Sequence, residues 1–412
     1  MLTVDWDTHD LPHNRHILAQ LTASLDASQR LVAITGAGIS VSAGIPDFRS
    51  ADGLYARVLA TESALTSKSI KGKDFFDAAL FHNAETRPLF NKFVAELRTM
   101  CSAGEPTPTH QFLSSLVRGN RLIRWYTQNI DGLEKALGLK TSTCSKPSEL
   151  ASLKSSKVPV ISLHGTLDRL VCTLCKITTE FDAEHDSLFR QGESPTCSKC
   201  TVFSTERQAR GRRAVRCGVM RPDIVLYNEP HPHGEMIAEY LTLDMNRRPN
   251  LLLVMGTSLK VVGLKKMVKD LARAVHQQPG GLVIFINKTP APRSEWKSVF
   301  DYELIGECDQ WIIFFTSSKP TISLPTPPFT PSPRKTIMSL SPHADLPKRD
   351  GRIDQLFRVV RKATPIASDL NKVEEVGKSS PLHQDRISVA SIKQVNPSSL
   401  SSSRLQRPTT RS

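Results

Sequence analysis

The chain has 412 residues, of which 39% are hydrophobic, and its 54 Lys and Arg against 40 Asp and Glu leave a net charge of +14. The longest apolar runs are about five residues, far short of the roughly 20 that a membrane helix needs, and Met1 to Asp7 lacks the basic flank and apolar stretch of a secretion signal. The charge favours polyanionic surroundings and leaves the fold open, and eight cysteines in so long a chain do not make a secreted disulfide scaffold.

In chain order, residues 15–29 read as an amphipathic helix, with Ile17, Leu18, Leu21 and Leu25 on one face. The apolar run Leu31–Thr35 follows and ends at Gly36. Similar runs stand at 122–126, 158–163, Leu251–Met255, 282–286 and 311–315. Runs of this kind suit parallel strands covered on both faces. Helical patterns at 84–100, 109–118 and 262–277 complete βα units, so the expected class is α/β with an open parallel sheet. From Lys319 to Ser412 there are 16 Lys and Arg against 7 Asp and Glu, with much Ser, Thr and Pro and few aromatics. Such a tail buries too little apolar surface to offset its ordering entropy and is expected to be disordered. Thr326, Thr330, Ser332 and Ser341 each precede a proline there and are candidate phosphorylation sites.

After the first run comes Gly36-Ala37-Gly38-Ile39-Ser40, leading through Gly44 to Asp47-Phe48-Arg49. A strand that passes through small residues into a helix start makes a phosphate site, because glycines let the backbone approach the anion and free N–H groups point at it. The third glycine falls too late for the dinucleotide fingerprint of a plain dehydrogenase, and an ordinary tight turn stays open at this point.

Cys172-x-x-Cys175 and Cys197-x-x-Cys200 stand 21 residues apart. Two such knuckles bring four thiolates to one tetrahedral ion, here expected to be zinc, and four thiolates leave no open position for catalysis. Cys101, Cys144 and Cys217 read as buried free thiols. Arg207, Arg210, Arg212, Arg213 and Arg216 form a basic run, either a solvated face or a contact for nucleic acid or an acidic partner.

The glycine stretch, Thr127-Gln128-Asn129-Ile130-Asp131-Gly132, His164-Gly165 and Gly256-Thr257-Ser258-Leu259 stand in an order that resembles the sirtuins. The likeness covers roughly residues 12 to 316. It implies a Rossmann-like catalytic domain over 1–316, with a helical insertion at about 53–105 and a zinc module at about 166–222, followed by the tail 317–412. It further implies an NAD-dependent protein-lysine deacetylase that yields nicotinamide and acetyl-ADP-ribose. Gly36, Ala37, Gly38, Asp47, Phe48 and Arg49 then belong to the cofactor loop, Phe48 as a cover that excludes water. His164 becomes the base that activates a ribose hydroxyl, a task suited to a side chain that titrates near neutrality. Asn129 holds the ribose and a water. Asp131 lines the nicotinamide pocket, and Gln128 and Ile130 join the cofactor-binding set. Gly256, Thr257 and Ser258 meet the adenosine ribose or phosphate, and Asn287 and Cys308 stand on the adenine side, Cys308 at the start of a last strand.

The stretch from Met220 to Pro230 resembles the family's substrate strand, beside which an extended acyl-lysine peptide adds itself. Asn228 stands where the family usually has Gly, and the Ser/Lys-rich stretch 139–157 reads as a surface insertion. The style of the chain most resembles fungal nuclear sirtuins acting on core histones, with chromatin as a partner for the basic surface and tail. Other acyl groups, mono-ADP-ribosyl transfer and a non-catalytic chromatin scaffold are the rival readings.

Overall fold

In the computed structural model of the protein, residues 1–46, 76–143 and 158–317 are described. The strands are Leu2–Asp5 (β1), Leu31–Thr35 (β2), Leu122–Thr127 (β3), Thr141–Ser142 (β4), Val160–Ser162 (β5), Gly165–Cys172 (β6), Thr178–Glu180 (β7), Met220–Ile224 (β8), Leu251–Met255 (β9), Leu282–Asn287 (β10) and Tyr302–Ile305 (β11). Eight of them form one parallel sheet in the order β1-β11-β10-β9-β2-β3-β5-β4. The other three form a small antiparallel sheet, β7-β6-β8.

Alternate residues of β2, β9 and β10 feed two separate cores, which is why these strands read as unbroken apolar runs. Leu31, Ala33, Leu251, Leu253, Ile284 and Ile286 pack with the helices Pro12–Ala27 (α1), Pro108–Arg118 (α4) and Cys308–Ser317 (α11). Val32, Ile34, Leu252, Val254, Val283 and Phe285 pack with Gly234–Asn246 (α8) and Val262–His276 (α9). A third core joins Ala78–His82 (α2) and Arg87–Ala103 (α3) to the small sheet and to Ala183–Gln191 (α6) and Ser198–Ala209 (α7). Two short helices, Leu133–Ala136 (α5) and Arg293–Trp296 (α10), complete the set. An ion pair is buried against β3. Arg124 of β3 is buried and forks onto Asp244 of α8 at 2.8 and 2.9 Å, and Tyr126 donates to the same carboxylate. A buried ion pair persists only with such complete bonding.

Several expectations change. Residues 311–315 are helical, not a strand, and Cys308 opens α11. Cys308, Trp311, Ile312 and Phe315 are buried at helical spacing while Ile313 is 50% exposed, so the period of the run was helical throughout. The last strand is β11, and it pairs with the N-terminal β1, neither of which the sequence reading found. The stretch from 139 does not begin as surface: Leu139 is buried and β4 pairs with β5. The substrate-strand stretch is regular only as β8, and Tyr227 then bridges to Asp77. The tail with its phosphorylation candidates, the 53–75 part of the helical insertion and Cys144 lie outside the described residues. No helix among the described residues is long and apolar enough to cross a membrane.

Candidate functional site

The sheet order reverses at β2, which has β3 on one side and β9 on the other. Ligands of open α/β folds bind beyond the strand ends at such a switch point. Here the loop after β2 crosses the loop after β9. The Gly36 N–H donates to Met255 O at 3.0 Å and the Gly38 N–H to Gly256 O at 2.9 Å. A Cβ on Gly38 would lie 2.7 Å from Gly256 Cα, and one on Gly36 would lie 2.8 Å from Gly256 O. The glycines are thus required by the crossing of two loops. This corrects the expected helix start with free amides: the Gly36 and Gly38 N–H groups already have partners, and the loop continues as two 3-10 turns, Ala37–Ile39 and Val41–Ala43.

One cleft is lined by Gly36, Ala37 and Gly38 after β2, Gln128 and Asn129 after β3, and His164 between β5 and β6. Gly256, Thr257 and Ser258 after β9, Asn287 at the end of β10, and Cys308 complete the set of expected residues there. Ile130 is instead buried in the core against the zinc-side helices, so its side chain is no part of the lining. Asp47, Phe48 and Arg49 lie outside the described residues.

A directed hydrogen-bond chain ties the cleft together. The Asn129 Nδ2 group donates to Ser40 Oγ at 3.0 Å, and the Ser40 hydroxyl donates to Asp131 Oδ2 at 2.7 Å. Asp131 also accepts the Leu133 N–H, and Gln128 Nε2 bridges Thr35 O and Thr257 Oγ1. His164 Nδ1 lies 2.9 Å from Gln128 O. A carbonyl only accepts, so Nδ1 carries the proton of the neutral ring and Nε2 carries the lone pair. The next residue explains the placement of the ring. Gly165 has φ +87°, and a Cβ there would lie 2.1 Å from Asp223 O, so only glycine lets β6 meet β8 this closely. The Val225 N–H then donates to His164 O at 2.9 Å, which fixes the histidine backbone to the expected substrate segment. Asn228 adopts φ +64°, the left-handed region that Asn tolerates better than most residues, and its amide donates to Asp77.

The four cysteines converge outside the large sheet. Their sulfurs all lie within 4.8 Å of one another, with Cys172–Cys200 at 3.8 Å and Cys175–Cys197 at 3.6 Å. Thiolates about 2.3 Å from a shared tetrahedral zinc are separated by ~3.8 Å, so the quartet fits that ion. The Leu174 and Cys175 amides donate to Cys172 Sγ and support thiolate charge.

Residues 36–263, over half of the chain, match the family profile described as "Sir2 family". The chain belongs to the Sir2 family. It is 41% identical over 308 residues to "NAD-dependent histone deacetylase HST3" of Saccharomyces cerevisiae, covering 74% of this chain and 68% of that protein. It is 38% identical over 311 residues to the protein of the same description from Candida albicans, covering 74% of this chain and 63% of that one. Among solved structures, a Sir2 homologue mutant in complex with 2′-O-acetyl ADP ribose superposes with a TM-score of 0.52 at 25% identity, over 74% of this chain and 98% of that one.

The Sir2 cleft also holds residues that sequence reasoning missed. Ser40 sits inside the recognised glycine stretch yet had no role assigned, although it links Asn129 to Asp131. The Lys288–Glu307 ion pair lines the cleft without any motif to mark it, while Tyr227 and Lys260 lie in or beside recognised stretches but had no role of their own assigned. Behind Asp131 lie two fully buried groups, His110 and Glu134, with ligand atoms of all three residues within 4.8 Å of one another. Burial pushes the Glu134 carboxyl up to about 8, with Asp131 adding to the effect and a Thr127 hydrogen bond opposing it. Burial lowers His110 from 6.5, against the pull of Asp131 and Asp309. No period or spacing announces this pair, because each belongs to a different short helix.

Glu134 has a pH consequence. A carboxyl whose folded value is raised holds its proton more tightly in the folded state. Its stabilisation is complete below the unfolded value near 4.5 and is lost as pH rises through about 8. Melting temperature should therefore fall between pH 5 and 8, and Glu134→Gln, neutral and nearly isosteric, should flatten that fall. Melting curves of both proteins across this range check it; equal slopes would show that Glu134 is ionised throughout.

Proposed function

We propose that this Sir2-family protein removes acetyl groups from core-histone lysines in the nucleus, as an NAD-dependent deacetylase that contributes to chromatin silencing. The observation that carries the reading is the convergence, in one cleft at the switch point, of the crossed glycine loops, Asn129 and His164 beside the β8–Tyr227 segment. The residues fit the cofactor: Asn129 lines the cleft, and its Oδ1 is buried with no protein hydrogen-bond partner among the described residues, so a ligand hydroxyl or water is its natural complement. NAD, when bound, supplies the sugar carbon that takes the acyl oxygen as nicotinamide departs, and the acetyl group ends on ADP-ribose.

The chain's own residues do the rest. The crossed loops around Gly36–Gly38 and Gly256–Ser258 hold the diphosphate and adenosine ribose, with Asn287 and Cys308 toward the adenine. Asn129, oriented through Ser40, positions the nicotinamide ribose, and Asp131 holds the nicotinamide side. His164 presents Nε2 as the base for a ribose hydroxyl, its ring fixed by the Gln128 carbonyl. Zinc on the four cysteines would tie the end of β6, at Cys172, to Cys197 and Cys200 at the start of α7, and so would support the small sheet in which β6 pairs with β8. Residues 1–316 form the catalytic domain, and the basic tail favours chromatin.

The test is to incubate acetylated core histones with the full chain, with and without NAD, and follow acetyl-lysine by mass. Loss of acetyl groups only when NAD is present is the expected result. ADP-ribose attached to the histones with acetyl groups retained, or no NAD consumption, would overturn the proposal.

A further inference from the structure

Eight arginines lie between 166 and 222, and they fall into two groups. Arg169, Arg190 and Arg221 are paired with Asp223, Asp186 and Glu229 at 2.6 to 2.8 Å. The other five, Arg207 to Arg216, have no carboxylate within ion-pair distance among the described residues, and Arg210, Arg212, Arg213 and Arg216 are exposed.

These five are not on a loose strand of chain. Helix α7 starts at the zinc knuckle and ends at Ala209, and the segment after it is bonded back onto it. Gly211 turns the chain at φ +69°, and the Arg212 N–H donates to Arg207 O at 2.9 Å. Arg207 Nε donates to Arg213 O, and Ser204 Oγ both donates to Val215 O at 3.1 Å and accepts the Val215 N–H at 3.2 Å. The charges are therefore presented in a fixed arrangement, which lowers the ordering cost of binding.

The same module also exposes large apolar side chains. Phe203 is 55% exposed, Val202 57%, and Leu174, between two zinc-ligand cysteines, 56%. On α7, Lys199, Phe203 and Arg207 share one face at spacings of four, Arg210 caps the helix, and the Arg207 guanidinium lies 5.9 Å from the Phe203 ring centroid.

We infer that this face of the zinc module docks an acidic protein surface, one that presents carboxylates around an exposed apolar patch. Charge decides against the chain's own segments: its tail carries 16 Lys and Arg against 7 Asp and Glu, and a second copy brings another +14. Composition decides against the phosphate backbone of nucleic acid. Phosphate contacts need cations and polar donors, and a half-exposed Phe with Val and Leu adds nothing to them. Phe and Arg together, with a rigid support, are the usual anchors of protein–protein contacts. The surface is separate from the NAD cleft, and the inference stands whether or not the deacetylase reading does.

The test uses the full zinc-loaded chain and two probes, intact nucleosomes and naked duplex DNA of the same length, read by fluorescence anisotropy. Two variants are compared, Phe203→Ala and the triple Arg210→Ala/Arg212→Ala/Arg213→Ala, after checking that zinc content and melting temperature are unchanged. The expected result is that each weakens nucleosome binding about tenfold or more, and that Phe203→Ala leaves DNA binding as it was. NAD-dependent deacetylation of short acetylated peptides should be unaffected in both. A triple variant that loses DNA and nucleosomes equally, with Phe203→Ala silent, would identify a phosphate site and overturn the inference. Unchanged nucleosome binding by both variants would reduce the run to a solvated face.

Discussion

Replacing His164 by alanine is expected to lower acetyl-ADP-ribose formation by about 10²- to 10⁴-fold, the range for loss of a positioned general base. The same variant should still exchange labelled nicotinamide into NAD when acetylated peptide is present. The two outcomes separate because departure of nicotinamide needs an acyl oxygen and a held ribose, whereas the later step needs a hydroxyl to lose a proton. On the proposed reading, His164 serves only the later step. Its ring bonds through Nδ1 to the Gln128 carbonyl, while its backbone is held by Val225 and β6 pairs with β8 through the main chain, so these backbone contacts do not depend on the ring. Parallel assays of exchange and product, on protein with an unchanged melting temperature, read the split. Loss of both together would move His164 from proton transfer to cofactor binding.

The second large effect concerns the zinc. Cys200→Ser, or chelation of the wild-type protein, is expected to release one zinc per chain and lower the melting temperature by roughly 10 °C or more, since structural zinc supplies folding free energy directly. Cys172, Cys197 and Cys200 are buried in the same core as Phe81, Phe90, Phe93 and Ile130, so an empty quartet leaves unpaired polar sulfurs inside an apolar cluster. Activity should fall with it, because β6 and β8 carry Gly165 and the segment that anchors His164. Metal release followed with a chromogenic chelator, alongside thermal melting by circular dichroism, measures this. A metal-free protein with the wild-type melting temperature would show that the quartet does not hold the module.

How much of this was legible beforehand follows from what each residue answers to. β2, β9 and β10 came close to their limits because they are buried on both faces and almost wholly apolar, and β3 did so although Arg124 interrupts its run. The zinc quartet was visible because metal geometry forces its spacing. The final run around Trp311 is just as apolar but has helical burial, and a five-residue window of Trp, Ile and Phe cannot separate the two periods. β1 was invisible because only Val4 of its four residues is buried, which leaves no pattern. Within the cleft, residues next to glycines or in short motifs could be named in advance. Ser40, Glu134 and His110 could not be given roles, because Ser40 meets Asn129 and Asp131 from 89 and 91 residues away, and His110 meets Asp131 and Glu134 from 21 and 24 residues away. The glycines themselves were recognised for a partly wrong reason: they permit two loops to touch, and their amides answer to Met255 and Gly256.

The most direct measurement of the central claim is product stoichiometry. Full-length protein, an acetylated histone peptide and limiting NAD are mixed, and nicotinamide, acetyl-ADP-ribose and free-lysine peptide are quantified by mass over one turnover. The account predicts equal amounts of all three and no free acetate. Acetate released without NAD consumption, or nicotinamide without acetyl-ADP-ribose, would contradict it.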